Sequence, residues 1–372
     1  MQEGLFIVSN YSLTFAGTLL RRYPDPDSYP YRSWSYPQGF MLWGFIRLFE
    51  ITGEKKYKEY VLSYCEKHVQ DDGTVPAFSG VSLDDIMAGS VLVWAFVETG
   101  QEKYRKACDI VRKAFDDYPR NRDGSFWHGR NLPGELWIDG LFMCLMFLTR
   151  YGKYIGDSDY CFSETVKQLT LGFNNCEKDN SGLLYHGWCQ DSKAPWAHPI
   201  TGKSSDIWCE GLGWYAMILS EVLGLLPQNQ PGRDKLVMQL QKLINGLEIV
   251  QDTASGLWYQ VVDKPGYNKN WHDTSGSAMF LYAVKKAGLL GICDTKKCDE
   301  IAEFAFNGVK TKCILDLEGN INVYDACDGL CIQLNFDAYT DYTRNVNSKE
   351  AVCACFWAAI IMEYGIDKVR TH

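Results

Sequence analysis

The sequence predicts an all-α chain folded as an (α/α)6 barrel, a toroid of six inner and six outer helices. Three observations predict it. Apolar residues at helical spacing mark twelve helices along the 372 residues. Those helices alternate between nearly all-round apolar and single-striped, the patterns of buried and outward-lying helices. A turn followed by an extended segment also recurs five times, at Asp72-Gly73, Asp123-Gly124, Ser181-Gly182, Ser255-Gly256 and Glu318-Gly319. Each such turn follows a Lys- and Glu-rich amphipathic helix and precedes a loop into a more apolar one. With 46% hydrophobic residues, one large core is affordable, so a single domain over residues 1–372 is expected. An open α-solenoid is the alternative architecture, but these repeats are too unequal for a regular one.

The elements follow in order. Ser9–Arg22 opens the chain. Pro37–Thr52 reads as inner and Lys55–Val69 as outer, then Leu83–Glu98 as inner and Glu102–Asp117 as outer. Glu135–Tyr151 is apolar and Tyr160–Asn175 mixed; Ile207–Leu226 is apolar and Arg233–Val250 amphipathic. Thr274–Leu289 is apolar, Thr295–Val309 polar, and the apolar Ser348–Tyr364 closes the ring.

Composition excludes several functions. The net charge is −9 with no basic stripe, so nucleic acid is not an expected partner. No apolar run approaches the length of a membrane span, and no basic region or cleavage site accompanies Leu5-Phe6-Ile7-Val8. A cytoplasmic protein, monomer or weak homodimer, is expected. The 14 cysteines are irregularly spaced, and the close pairs Cys293 and Cys298, Cys327 and Cys331, and Cys353 and Cys355 form no zinc pattern. They read as reduced thiols, most of them small core residues. Metalloprotease, nucleotide-loop, dinucleotide and serine-elbow motifs are all missing, so no metal or cofactor is expected. Aromatics reach 14%, including 12 Trp and 22 Tyr, which suits sugar binding as well as packing.

In a toroid, the loops that lead into inner helices open on one face. Here those loops hold Trp34, Tyr36, Asp84, Asp85, Trp127, His128, Asp139, His186, Trp208, Trp214 and Asp273. Asp139 falls in the first turn of a helix among Trp137, Ile138 and Leu141. The helix dipole favours an acid there, yet large apolar neighbours disfavour its charged form and make it a usable proton donor. Asp84 starts a neighbouring inner helix, and the two suggest acid–base chemistry. His128 and His186 can donate to sugar hydroxyls, and the aromatic faces can stack on a pyranose.

Four blocks then resemble a known family: Trp137-Ile138-Asp139-Gly140-Leu141-Phe142-Met143, Ser82-Leu83-Asp84 with Ala88-Gly89, Leu184-Tyr185-His186-Gly187-Trp188, and Gly213-Trp214-Tyr215-Ala216-Met217. They resemble the unsaturated glycuronyl hydrolases, glycoside hydrolase family 105 first and family 88 as its relative. The resemblance implies an (α/α)6 barrel and a substrate carrying a 4,5-unsaturated uronic acid at its non-reducing end, of pectin or rhamnogalacturonan type. It implies Asp139 as general acid and base, Asp84 as the assisting carboxylate, His128 and His186 as sugar-binding histidines, and Trp208 and Trp214 as stacking residues.

Two departures stand out. The family segment Trp-x-Arg-x-x-Gly-Trp appears here as Trp208-Cys209-Glu210-Gly211-Leu212-Gly213-Trp214, with an acid in place of the base. Glu210 is expected to repel a uronate carboxylate, so either Arg130, Lys193 or Lys203 binds it, or the substrate differs from the family norm, or activity is lost. Asp273 stands where the family carries Glu. The alternatives are another barrel enzyme, an inverting glycosidase or an epimerase, and an inactive sugar-binding homologue.

Overall fold

The structure is a computed structural model and describes Val8 and residues 10–365. The expected start of the first helix, Ser9, lies outside the described residues. The chain runs α1 (Tyr11–Arg22), α2 (Tyr36–Thr52), α3 (Lys55–His68), α4 (Gly89–Thr99) and α5 (Glu102–Lys113), then strand β1 (Glu135–Trp137), α6 (Ile138–Tyr154) and α7 (Ser158–Cys176). Strand β2 (Gly187–Cys189) precedes α8 (Cys209–Leu225), α9 (Arg233–Val250), α10 (Thr274–Leu289) and α11 (Thr295–Lys312). Strands β3 (Cys313–Leu315) and β4 (Ile321–Val323), the short α12 (Phe336–Thr340) and α13 (Lys349–Tyr364) complete it.

Six helices close an inner ring: α2 packs on α4, α4 on α6, α6 on α8, α8 on α10, α10 on α13, and α13 back on α2. Each is apolar nearly all round and buried over most of its length. Aromatic side chains plug the axis, where Phe40 lies 4.6 Å from Trp214 and 4.7 Å from Trp357 between ring centroids. The outer helices α1, α3, α5, α7, α9 and α11 pack against this ring with one apolar stripe each. The expected (α/α)6 barrel is the fold that forms.

The five repeated turns are the joints between outer helices. Gly73, Gly124, Gly182, Gly256 and Gly319 all take positive φ, between 74° and 92°. Such backbone is open to glycine without a Cβ penalty. Four of the turns dock on the next outer helix, where an added Cβ would meet Lys106 of α5, Lys167 of α7, Lys242 of α9 and Phe304 of α11 within 2.5 Å. The fifth closes the circle: Arg21 of α1 donates to the Gly319 carbonyl at 3.2 Å.

Two expected elements differ and one element is new. Leu83–Glu98 splits into a 3-10 turn, Leu83–Asp85, and α4 from Gly89. Ser82 Oγ accepts from Asp84 N at 3.2 Å, and Leu83 N donates across to His128 O at 3.0 Å, so the first residues bond outside any α-helix. Glu135–Trp137 is extended because it pairs antiparallel with Gly187–Cys189, and the helix starts at Ile138. Helix α12 was not expected at all; its apolar content is too short to show a period.

Candidate active site

The N-terminal ends of the inner helices converge on one mouth of the barrel. The segments leading to them are stitched side to side. Ser82 bridges Gly129, His128 N donates to Glu135 O at 2.7 Å, Ile138 N to His186 O at 3.1 Å, and Cys209 N to Gln260 O at 2.9 Å. A cavity of about 520 Å³ opens here, lined among others by Tyr36, Asp84, His128, Trp137, Asp139, Trp208, Glu210, Trp214 and Lys349.

Asp139 sits in the first turn of α6 and is 9% exposed. Burial pushes its carboxyl up to about 6, and Asp84 adds to the rise, against the opposing pull of His128 and of backbone N–H groups at the helix start. Its Oδ1 has no hydrogen-bond partner. Asp84, the middle residue of its 3-10 turn, is also raised, chiefly by burial. His128 joins the two elements: its Nε2 lies 3.8 Å from Asp84 Oδ2, and its ring stacks on Trp137 at 4.3 Å and 12°. The glycine after Asp139 is required by that packing, since a Cβ on Gly140 would stand 2.5 Å from His128 Nδ1.

His186 is fully buried, and burial holds its pKa well below the ordinary value, so the ring is neutral. The Tyr339 hydroxyl accepts from Gln333 N at 3.2 Å and lies 2.9 Å from His186 Nδ1. Nε2 lies 3.9 Å from Asp139 Oδ1 and has no partner. Trp208 Nε1 and Glu210 Oε1 are buried and unpartnered as well. Buried polar groups are ordinarily satisfied. Asp139, Trp208 and Glu210 line the cavity, and these unpaired polar atoms lie just behind its wall.

Glu210 differs from the repelling anion expected of it. Ser275 Oγ lies 2.6 Å from Glu210 Oε2 and 2.8 Å from Asp273 Oδ2. One hydroxyl proton cannot serve two carboxylates. Asp273 already accepts from Gly276 N and Cys327 N, at 2.8 Å and 2.9 Å. Burial, then Glu350 and Asp273, push the Glu210 pKa well above the carboxylate range. Glu210 is the protonated member of the pair and brings no negative charge to the cavity.

Trp34, Arg130, His186 and Asp273 depart from expectation and do not line the cavity. Trp34 is core: its Nε1 donates to Asp85 O at 2.8 Å and its ring stacks on Tyr64. Arg130 turns outward to Asp117 at 2.7 Å. Asp273 is the N-cap of α10. The other candidate cations are engaged elsewhere, Lys193 with Asp191 at 2.9 Å and Lys203 with the Glu177 carbonyl. Two cations that the sequence reading passed over line the cavity instead, Lys349 and Arg32. Lys349 Nζ pairs with Glu350 Oε1 at 2.9 Å, and Tyr36 OH donates to that same carboxylate. The Ser348-Lys349-Glu350 run reads as an ordinary helix start, so only the closed ring reveals it.

Residues 11–364 match the family model for glycosyl hydrolase family 88. The chain belongs to that family. It is 35% identical over 150 residues to Protein Atu3128 of Agrobacterium fabrum, a match that takes in 40% of this chain and 63% of that relative. It is 25% identical over 264 residues to the unsaturated rhamnogalacturonyl hydrolase YesR of Bacillus subtilis, covering 69% of this chain and 72% of that one. Among solved structures, a family 105 glycoside hydrolase of C. acetobutylicum superposes with a TM-score of 0.90 at 29% identity, over 95% of this chain and 99% of the other. The unsaturated glucuronyl hydrolase of Bacillus sp. GL1 shares the fold, with a TM-score of 0.70 at 13% identity over 97% and 98% of the two chains.

Proposed function

We propose that this protein removes 4,5-unsaturated uronic acid from the non-reducing end of lyase-generated oligosaccharides of rhamnogalacturonan or pectin type. The observation that carries the reading is Asp139, a buried carboxyl raised to about 6 that lines a sugar-sized cavity. The substrate is an enol ether, C4=C5–O5. Asp139 delivers its proton to C4, and the cation that develops at C5 is shared with O5. The Asp139 carboxylate then takes a proton from the water that adds at C5, which restores the acid. The C5 hemiketal opens by loss of its bond to O5. The hemiacetal left at C1 expels the aglycone alcohol. Asp84 holds the sugar hydroxyls while this happens, His186 backs Asp139 from behind the cavity wall, and Trp208 lends its face.

Lys349 receives the uronate carboxylate in this reading, with Arg32 at the rim. Helix N-termini around the mouth favour an anion, and neutral Glu210 accepts or donates one hydrogen bond without repelling it. No helix among the described residues is long and apolar enough to cross a membrane. We place the protein in the cytoplasm.

The test is the ultraviolet absorbance of the C4=C5 bond, followed on disaccharides from rhamnogalacturonan, pectin and glycosaminoglycan lyases. The parent protein bleaches the rhamnogalacturonan product fastest. Asp139→Asn leaves it unchanged, and Lys349→Met raises KM by at least about tenfold with a smaller effect on kcat. A folded parent that bleaches none of the panel overturns the assignment.

A further inference from the structure

The opposite mouth of the barrel holds a second cavity of about 530 Å³, formed by the C-terminal halves of the inner helices. Its floor is charged. Glu221 of α8 is fully buried and meets three cations from three other inner helices. Arg47 of α2 lies 2.8 Å from Oε1, Arg150 of α6 lies 2.6 Å from Oε2, and Lys286 of α10 also contacts Oε1. All three cations are at least nine-tenths buried. One carboxylate thus answers three positive charges in a place shielded from water, and such an imbalance is costly unless a counter-ion completes it. The imbalance is felt at Lys286, where burial together with Arg47 and Arg150 holds the amine down at about 8 despite Glu221.

The walls above this floor are apolar and aromatic, including Trp43, Trp94 and Tyr154. The outer rim is mixed in charge: Glu50, Glu98 and Lys153 line it, with Glu98 held by Lys58 at 2.6 Å. A ligand that suits the floor and the walls carries one negative charge at its inner end and a flat, apolar body. From the floor and the walls we infer that this cavity is a binding site for a small aromatic monocarboxylate, entered head first and separate from the sugar site. The ligand's carboxylate completes the Arg47–Arg150–Lys286 cluster, and its ring lies along the tryptophans.

The experiment uses the full chain and benzoate and phenylacetate as probes, with benzyl alcohol and benzylamine as neutral and cationic counterparts. Ionic strength is matched with chloride, because exposed charges respond to salt. The acids raise Tm by about 3 °C at about 100 times their Kd, and the alcohol and amine do not. Gly224 of α8 lines the cavity, and a Cβ there stays at least 3.6 Å from any neighbour, so Gly224→Phe fills the space. That variant loses the shift. Lys286→Met, which keeps Glu221 paired with two arginines, weakens it and serves if the first variant does not fold. Lys349→Met, in the sugar site, keeps the shift. No shift with either acid overturns the inference, as does an equal shift with benzyl alcohol. A shift that survives Gly224→Phe but is lost in Lys349→Met puts the acid in the sugar site and overturns it as well.

Discussion

Asp139 is held in a state that folding alone would not choose. Its carboxyl is raised to about 6 from a value near 3.8, and burial is the main cause. A carboxyl raised on folding contributes stability that is fully present below its unfolded pKa and is lost as pH rises through its folded pKa. The loss is therefore incurred between about pH 4 and pH 6 and is complete above about pH 7, where it amounts to about 3 kcal/mol. Asn has the shape of the protonated acid without its titration. Asp139→Asn is expected to be more stable than the parent at pH 8 by up to that amount, and less so at pH 5. Urea unfolding at the two pH values measures it, and a gain that is absent, or equal at both, shows that the environment does not penalise the charge. The same titration sets the activity limb: kcat/KM falls tenfold per unit above about pH 6, as the proton donor is lost. The stabilised variant is the inactive one, which is the usual exchange at a site built for reaction.

At the scale of elements, the joints between outer helices decide whether the mouth is held open in one shape. Gly182 is the one packed most tightly against backbone. It has φ 81°, and a Cβ there would stand 2.3 Å from the Lys242 carbonyl oxygen of α9. Backbone cannot swing aside as a flexible side chain can. Gly182→Ala is expected to cost about 2–4 kcal/mol, from left-handed strain and the forced shift of α9. Gly319→Ala, with no heavy atom within 4 Å of its Cβ, costs only the strain. A denaturation series on the two variants separates the terms, and equal losses would remove the docking argument. These turns were legible because glycine after Asp or Ser, followed by an extended stretch, is a local signal. The acids Asp84 and Asp139 were legible for a similar reason, as polar residues in apolar surroundings at helix starts. Lys349 and Arg32 were not, because their approach to the site depends on how the last helix and the first loop meet across the ring. Arg130 was misplaced for the same reason: its partner Asp117 decides its direction, and no local pattern names that partner. Glu210 was visible as a departure, but its neutrality needs Ser275 and Asp273 beside it.

At the scale of the whole molecule, the inner ring is pinned at both ends by charge. At the front, helix N-termini gather around the proposed uronate site. At the rear, Glu221 alone ties α8 to α2, α6 and α10 through Arg47, Arg150 and Lys286. Its pKa is held well below the carboxylate range by those cations, which outweigh its burial. A depressed carboxylate contributes stability that is present above its unfolded value and lost as pH falls through its folded one. At pH 7 the contribution is complete. Glu221→Gln keeps the shape but leaves three buried cations with no anion, and breaking a buried pair in this way costs about 3–5 kcal/mol. Adding Lys286→Met to that variant removes one of the orphaned charges and supplies an apolar side chain of similar length. The double variant is therefore expected to be more stable than Glu221→Gln alone. A thermodynamic cycle on the four proteins reads the coupling directly. If the double variant instead loses the sum of the two single losses, the cations do not depend on Glu221, and the rear of the barrel is held by its apolar packing.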